Sequence, residues 1–322
     1  MFHIAALGEL LIDFTPIGLS KANNQIFEQN PGGAPANVLA LVSKLGKRTA
    51  FLGMVGQDQF GLFLKEVLEN SNINVSGLKI SEEFKTTLAF VHLDSSGDRT
   101  FSFYRKLGAD MMLSASDVNY EVIKEARIFH FGSVSMSDEP ARTASIRAAM
   151  FAKENGSIIS FDPNYRPLLW SSVKEAINTI KIGVKIADIL KVSEEELELI
   201  TGQIDVAVGA DMLFREGVKV ILVTLGKHGC FYKYAGGEGY ADGYSVNAID
   251  TTGAGDAFLG AFLYQISEMK MDELCGLNKD DFEKMVDFSN AAGALATTKT
   301  GAVPALPSSD AIHNLSNFKG KM

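Results

Sequence analysis

The sequence predicts an α/β protein built on a largely parallel sheet with helices on both faces. Three observations carry this reading. Short, almost continuously apolar runs recur through most of the 322 residues. Amphipathic stretches of helical period lie between them, as expected for buried parallel strands joined by helical crossovers. One segment departs from the pattern: TTLAFVHL and TFSFYR alternate apolar and polar residues on either side of DSSGDR. That period of two predicts a half-exposed antiparallel hairpin.

The strands are expected at Ile4–Leu11, Thr49–Val55, Arg127–Phe131, Ile158–Asp162, Ile189–Val192 and Lys219–Leu225, and helices at Ala36–Leu45, Phe60–Asn70, Ala141–Glu154 and Val173–Ile186. The opening MFHIAALGELLIDF lacks a basic leader and carries Glu9 and Asp13, so it reads as a buried strand rather than a signal peptide. Asp13 to Pro31 is polar and poor in helix formers. Together with the hairpin at 86–106 it is expected to form a small β lid over the strand ends. A hairpin that only extends the edge of the main sheet would show the same alternation. With no internal repeat or linker, residues 1–322 are expected to form one domain.

Composition excludes several classes. The formal net charge of −9 argues against a nucleic-acid binder, which needs a basic face. Cys230 and Cys275 are far apart and without partners at metal-ligand spacing, so a disulfide framework or structural zinc is not expected. The five histidines do not cluster, and His130, in IFHFGSVSM, reads as a core residue. No apolar run approaches the roughly 18 residues that span a membrane. A soluble, cytoplasmic protein is expected.

The chemistry concentrates in IDTTGAGDAFLGAF, Ile249 to Phe262. Gly253 and Gly255 lack Cβ atoms, so consecutive N–H groups can converge on an anion. The apolar pattern that follows marks a helix whose N-terminal dipole favours negative charge. Asp256, in its first turn, is either a helix-stabilising carboxylate or a general base beside an anion hole. The chain has no G-x-x-x-x-G-K-[ST], no G-x-G-x-x-G after the first strand and no G-x-S-x-G. Those absences set aside a P-loop enzyme, a nicotinamide-dependent dehydrogenase and a serine hydrolase elbow. A second glycine cluster, NPGGAPANVLALVSKLG, places Gly32 and Gly33 before a helix that carries Asn37 in its opening turns. Small residues there let a ligand approach the backbone, and the Asn37 amide can donate and accept.

GGAPANVLALVSKLG and DTTGAGDAFLGAFL together resemble the two signatures of the PfkB, or ribokinase-like, carbohydrate kinases, with VTLGKHG and TKTGAVPALP at matching places. The resemblance spans essentially the whole chain. It implies a ribokinase-like α/β/α sandwich with a β lid, ATP as phosphoryl donor, Mg²⁺ and a sugar acceptor. Asp256 matches the catalytic base, and Gly253, Ala254 and Gly255 match the anion hole. Asp13, Gly32, Gly33 and Asn37 match sugar-binding positions. Lys191, Glu196, Thr224, Gly226, Gly229 and Asn290 match the nucleotide and magnesium region, with Lys227 adding a charge. In KVSEEE, however, Ser193 stands where the family's N-x-x-E motif has asparagine. Asp250, Thr252, Ala296, Lys299 and Gly301 match a monovalent-cation site for K⁺, supplied mostly by backbone carbonyls. Intact Asp256 argues against a sugar or nucleotide sensor without catalysis.

For the sugar, TFSFYRKLGADMML and FDPNYRPLLW are similar to segments of bacterial fructokinases. Tyr104, Arg105 and Arg166 are also similar to positions of 2-keto-3-deoxygluconate kinases. Two guanidinium groups suit a carboxylate, whereas the Gly108-Ala109-Asp110 continuation favours fructose. Lid strands carrying Phe90 and Phe103 are expected to support a homodimer, since an unpaired edge hairpin is otherwise a liability.

Overall fold

The computed structural model describes residues 1–93 and 99–319. β1 (Phe2–Leu7), β2 (Leu11–Leu19) and β3 (Gln25–Gly32) precede α1 (Ala34–Lys44). Next come β4 (Thr49–Gly56), α2 (Gln59–Asn70), β5 (Ile73–Ser81), β6 (Leu88–Leu93) and β7 (Arg99–Tyr104). Crossovers follow through α3 (Tyr120–Lys124), β8 (Ala126–Gly132), α4 (Ala141–Glu154), β9 (Ile158–Asp162), α5 (Val173–Ile186) and β10 (Ile189–Ser193). The chain continues with α6 (Glu194–Thr201), α7 (Val206–Arg215), β11 (Val220–Thr224), β12 (Cys230–Tyr234) and β13 (Gly237–Ala241). It ends with α8 (Ala254–Ile266), α9 (Met271–Cys275), α10 (Lys279–Ala296) and α11 (Ser309–Lys319).

Nine strands form one sheet in the order β13-β12-β11-β10-β9-β8-β1-β4-β5. Every pairing from β11 to β5 is parallel, and β12 and β13 add an antiparallel edge. Helices cover both faces. Leu39 of α1, Phe262 of α8 and Phe282 of α10 are buried on one face, and Ala148 of α4, Ile180 of α5 and Leu213 of α7 on the other. Such side chains each contribute roughly 1.5–3 kcal/mol when they are large and fully buried. His130 lies in the core, its Nδ1 3.1 Å from Ser160 Oγ. Burial depresses its pKa to about 4.

The expected first strand, Ile4–Leu11, is divided. β1 ends at Leu7 and β2 starts at Leu11 in a different sheet. Between them Glu9 turns inward, and its Oε1 accepts the Ala34 N–H at 3.0 Å. This contact secures one of the free amides at the start of α1, where Pro35 has none to lose.

Both irregular segments belong to a second, four-stranded sheet in the order β3-β2-β6-β7. Residues 94–98, the DSSGD of the expected turn, lie outside the described residues. The hairpin does not extend the main sheet: β6 runs parallel to β2, while β2–β3 and β6–β7 are antiparallel. One face of this sheet is aromatic, with Phe90 stacked on Phe14 at 4.8 Å and Phe14 edge-on to Phe60 of α2. Phe90 is half-buried in this cluster, its ring also edge-on to the exposed Tyr104 at 5.5 Å. The exposed apolar side chains of this sheet include Ile17, Leu19 and Tyr104.

Candidate active site

The C-terminal ends of the parallel strands all lie along one side of the main sheet. There β1 is flanked by β8 and β4, so successive crossovers leave it in opposite directions. Ligands of open α/β sheets bind beyond the strand ends at such a reversal. Asp162 ends β9, Lys191 and Ser193 end β10, and Thr224 ends β11.

Gly253 precedes α8 with φ 74°, and a Cβ placed on it would lie 2.9 Å from Ala302 Cβ. A left-handed residue in so little space is suited to glycine. The helix begins at Ala254, so Asp256 sits in its first turn with its carboxylate buried. Asn37 Nδ2 donates to Asp256 Oδ2 at 2.8 Å, joining α1 to α8. Burial lifts the Asp256 pKa to about 6; the Asn37 bond opposes that rise, nearby Asp162 adds to it, and Lys191 and Arg166 oppose it. Asn37 Oδ1 is buried and has no hydrogen-bond partner among the described residues. A raised carboxylate can accept the proton of an alcohol, and the amide oxygen beside it can accept from a second hydroxyl.

Asp13 lies on β2 close to this cleft. Burial raises its pKa to about 6, against the Arg166 charge. Gly32 packs on it so closely that an added Cβ would fall 2.2 Å from Asp13 Oδ2. Gly33 has φ 126°, and its would-be Cβ would fall 2.4 Å from the Glu9 carbonyl oxygen. Arg166 is exposed, its NH1 donating to the Tyr165 carbonyl at 3.2 Å.

Arg105 is engaged within the protein. Its Nε donates to Asp110 Oδ2 at 2.8 Å, NH1 to Ser137 Oγ at 2.7 Å, and NH2 to the Val134 carbonyl at 3.1 Å. The buried cluster, with Thr87 donating to Asp110, fixes the return of the chain from β7. Tyr104, one residue earlier, is 70% exposed. Sequence reading missed the partners of Arg105, although GAD already offered a carboxylate five residues away.

On the opposite side of Asp256, Lys191 Nζ donates to Asp162 Oδ2 at 2.9 Å in a buried pair. Burial would lower the Lys191 pKa, but Asp162 and Glu196 outweigh it and hold the ammonium above its usual range. Ser193 and Glu196 form a capping box on α6: Ser193 Oγ accepts from Glu196 N, and Glu196 Oε2 accepts from Ser193 N at 2.8 Å. Glu196 Oε1 accepts the Tyr165 N–H at 2.7 Å. Burial and Asp162 raise the pKa of Glu196. Ser193 thus caps the helix and orients the glutamate. Among the described residues no group of three or more His, Cys, Asp or Glu could cage a metal.

Gly226 and Gly229 bracket a short 3₁₀ turn after β11, with Lys227 exposed between them. Thr224 Oγ1 donates to the Val192 carbonyl at 3.3 Å. The Asn290 amide donates to the Ala241 and Asp242 carbonyls at 2.9 and 3.3 Å, so it shapes the chain after β13. Asp250 is buried; its Oδ1 accepts the Thr252 N–H at 2.8 Å and its Oδ2 the Gly301 N–H at 3.0 Å. The expected cation loops are thereby held together, with Ala296 buried at the end of α10 and Lys299 exposed.

Comparison with known proteins shows the family. The pattern of the pfkB family of carbohydrate kinases matches residues 1–309. Over 308 residues the chain is 44% identical to a probable fructokinase-2 of Arabidopsis thaliana, covering 94% of this chain and 92% of that one. A fructokinase of Xylella fastidiosa with bound ATP superposes with a TM-score of 0.92 at 31% identity, covering 99% of this chain and 100% of that one. A double-mutant fructokinase of Vibrio cholerae O395, with fructose, ADP and potassium ion bound, gives 0.87 at 33% identity and covers 97% of each. The chain belongs to the pfkB family of carbohydrate kinases.

Proposed function

We propose that the protein is an ATP-dependent fructokinase that phosphorylates the primary 6-hydroxyl of fructose. The carrying observation is the buried Asp256 carboxylate at the start of α8, beside Gly253–Gly255 and held by Asn37. Asn37 fixes Oδ2, which leaves Oδ1 to accept the sugar proton. As the sugar oxygen attacks the γ-phosphorus, the α8 amides receive the developing charge. Gly226, Gly229, Thr224 and Asn290 shape the nucleotide side, and Asp13, Gly32, Gly33 and Arg166 the sugar side. Mg²⁺ brought by ATP would offset phosphate charge near Glu196 and Asp162.

The state of Arg105 favours a neutral sugar. An acid sugar would call on two guanidinium groups, and Arg105 is already bound to Asp110, Ser137 and Val134. Its role on this reading is to position the second sheet, which acts as a lid over the sugar within one domain. Likeness to fructokinases on both comparisons supports the same choice.

K⁺ is proposed on carbonyls of the loops around Asp250–Thr252 and Ala296–Gly301, which Asp250 ties together. A homodimer through the exposed Ile17 and Leu19 side of the lid is proposed, and sedimentation at micromolar concentration checks it. A monomer throughout would remove it. Among the described residues no helix is long and apolar enough to cross a membrane, in keeping with a cytoplasmic enzyme. Incubation with ATP and fructose should give ADP and fructose 6-phosphate in equal amounts. ADP without a phosphorylated sugar would reject the assignment.

A further inference from the structure

Basic residues line up across three adjacent strands at the N-terminal end of the main sheet, the end opposite the cleft. β1 pairs Ile4 with Thr49 of β4 on one side and with Ile128 of β8 on the other, so His3 has Arg48 and Arg127 as lateral neighbours. The His3 N–H donates to the Arg48 carbonyl at 2.9 Å, which fixes that row. Residues in register on parallel strands point to the same face of a sheet. These three border a cavity of about 300 Å³ that Met1, Phe2 and Glu268 complete.

The hydrogen bonds around the cavity leave donors, not acceptors, to spare. The Arg48 N–H donates to His3 Nδ1 at 3.1 Å. A backbone N–H cannot accept, so Nδ1 is bare and Nε2 carries the ring proton. Nε2 stands 3.6 Å from Glu268 Oε1, beyond ordinary hydrogen-bond length. Lys47 Nζ takes that Oε1 at 2.7 Å, and Arg127 NH1 donates to the Glu268 carbonyl at 3.1 Å. The Met1 ammonium is held by Glu125 at 2.9 Å. Among the described residues the Arg48 guanidinium has no partner, and Arg127 keeps its other N–H groups unused. Burial lowers the His3 pKa, Lys47, Arg48 and Arg127 add to the fall, and Glu268 opposes it. Three cations thus converge on one carboxylate in a chain of net charge −9. Like charges so gathered repel unless an anion lies between them.

We infer that this cavity binds a phosphate dianion, free or as a monoester, through the guanidinium forks of Arg48 and Arg127 and the His3 Nε2–H. Two forks and one imidazole donor match the several oxygens of a phosphate, and two guanidinium charges match its dianion. A carboxylate would leave one of those charges uncompensated. The volume suits a small ligand rather than a macromolecular segment. The site lies about 20 Å from the cleft along β1, so its ligand and the substrates bind together rather than in competition.

The test titrates inorganic phosphate and, separately, fructose 6-phosphate into the protein at constant ionic strength, with ADP and fructose present to fill the cleft. The readout is the His3 ring resonance in NMR, assigned by its loss in His3→Gln. Both dianions should shift this resonance to saturation and raise the His3 pKa, because a bound negative charge favours the imidazolium. Arg48 and Arg127 are exposed, so Arg48→Gln/Arg127→Gln should stay folded, and it should weaken binding by about tenfold or more. A monoester that binds about tenfold tighter than free phosphate assigns a sugar phosphate as the occupant; comparable or weaker binding assigns phosphate itself, and each upholds the site. A His3 resonance that neither dianion moves overturns the inference. So does a shift that chloride reproduces, or a double variant that binds within about threefold of wild type. The readout is local to His3 and needs no turnover, so failure of the fructokinase assignment would leave this result unaffected.

Discussion

At Asp256 the burial that makes a good base also makes an unfavourable carboxylate. The folded pKa is raised from 3.8 to about 6. Between those values the native state holds a proton that the unfolded chain has released, so stability falls as pH rises through that window. The loss is complete above about 6, and a shift of about two units corresponds to at most ~3 kcal/mol. Asp256→Asn removes this burden and the base together. We predict a variant with a higher Tm than wild type at pH 7.5, with the difference vanishing near pH 3. Its turnover should fall roughly 10²–10⁴-fold. In the wild type, kcat/KM should decline as pH drops below about 6, because only the ionised carboxylate accepts the proton. Melting curves at the two pH values and a rate profile check these statements; equal Tm values at pH 7.5 would show that burial does not oppose the charge.

The elements matter through their junctions. Gly33 joins β3 to α1 with φ 126°, where an added Cβ would fall 2.4 Å from the Glu9 carbonyl oxygen. Gly33→Ala should destabilise the protein by about 1–3 kcal/mol through backbone strain alone, read as a lower urea midpoint. A midpoint unchanged from wild type would mean that the junction relaxes. The second sheet meets the main body near Glu9, Ala34, Thr87 and the Arg105–Asp110 pair. On the lid reading, fructose with a nonhydrolysable nucleotide should slow amide exchange in β2, β3, β6 and β7. Exchange that ignores both ligands would leave a static sheet.

These junctions also mark the limit of what the sequence makes legible. Ile158–Asp162, Ala141–Glu154 and Val173–Ile186 are read to the residue, because apolar period and flanking polar residues agree. The break at Gly8–Leu10 is hidden, since two strands of different sheets share one apolar run. Motif spacing points to Asn37 and Asp256, but their 2.8 Å contact joins residues 219 apart and only the fold brings it about. Arg105 shows the reverse case. Its residue type suits a ligand, yet Asp110, Ser137 and the Val134 carbonyl take its donors first.

For the molecule as a whole, the remaining questions concern ions and the sugar. A monovalent cation among the loops tied by Asp250 would orient the anion hole without touching phosphate. Turnover should rise when K⁺ replaces Na⁺ or a large organic cation at constant ionic strength, and equal rates would remove the cation from the account. The choice of sugar is tested most directly by kcat/KM for fructose and for 2-keto-3-deoxygluconate in one coupled ADP-release assay. The acid must bury a carboxylate where Arg105 is already committed, and that uncompensated charge is costly. We predict that fructose has the higher kcat/KM. A preference for the acid of tenfold or more, about 1.4 kcal/mol of transition-state stabilisation, would contradict the assignment.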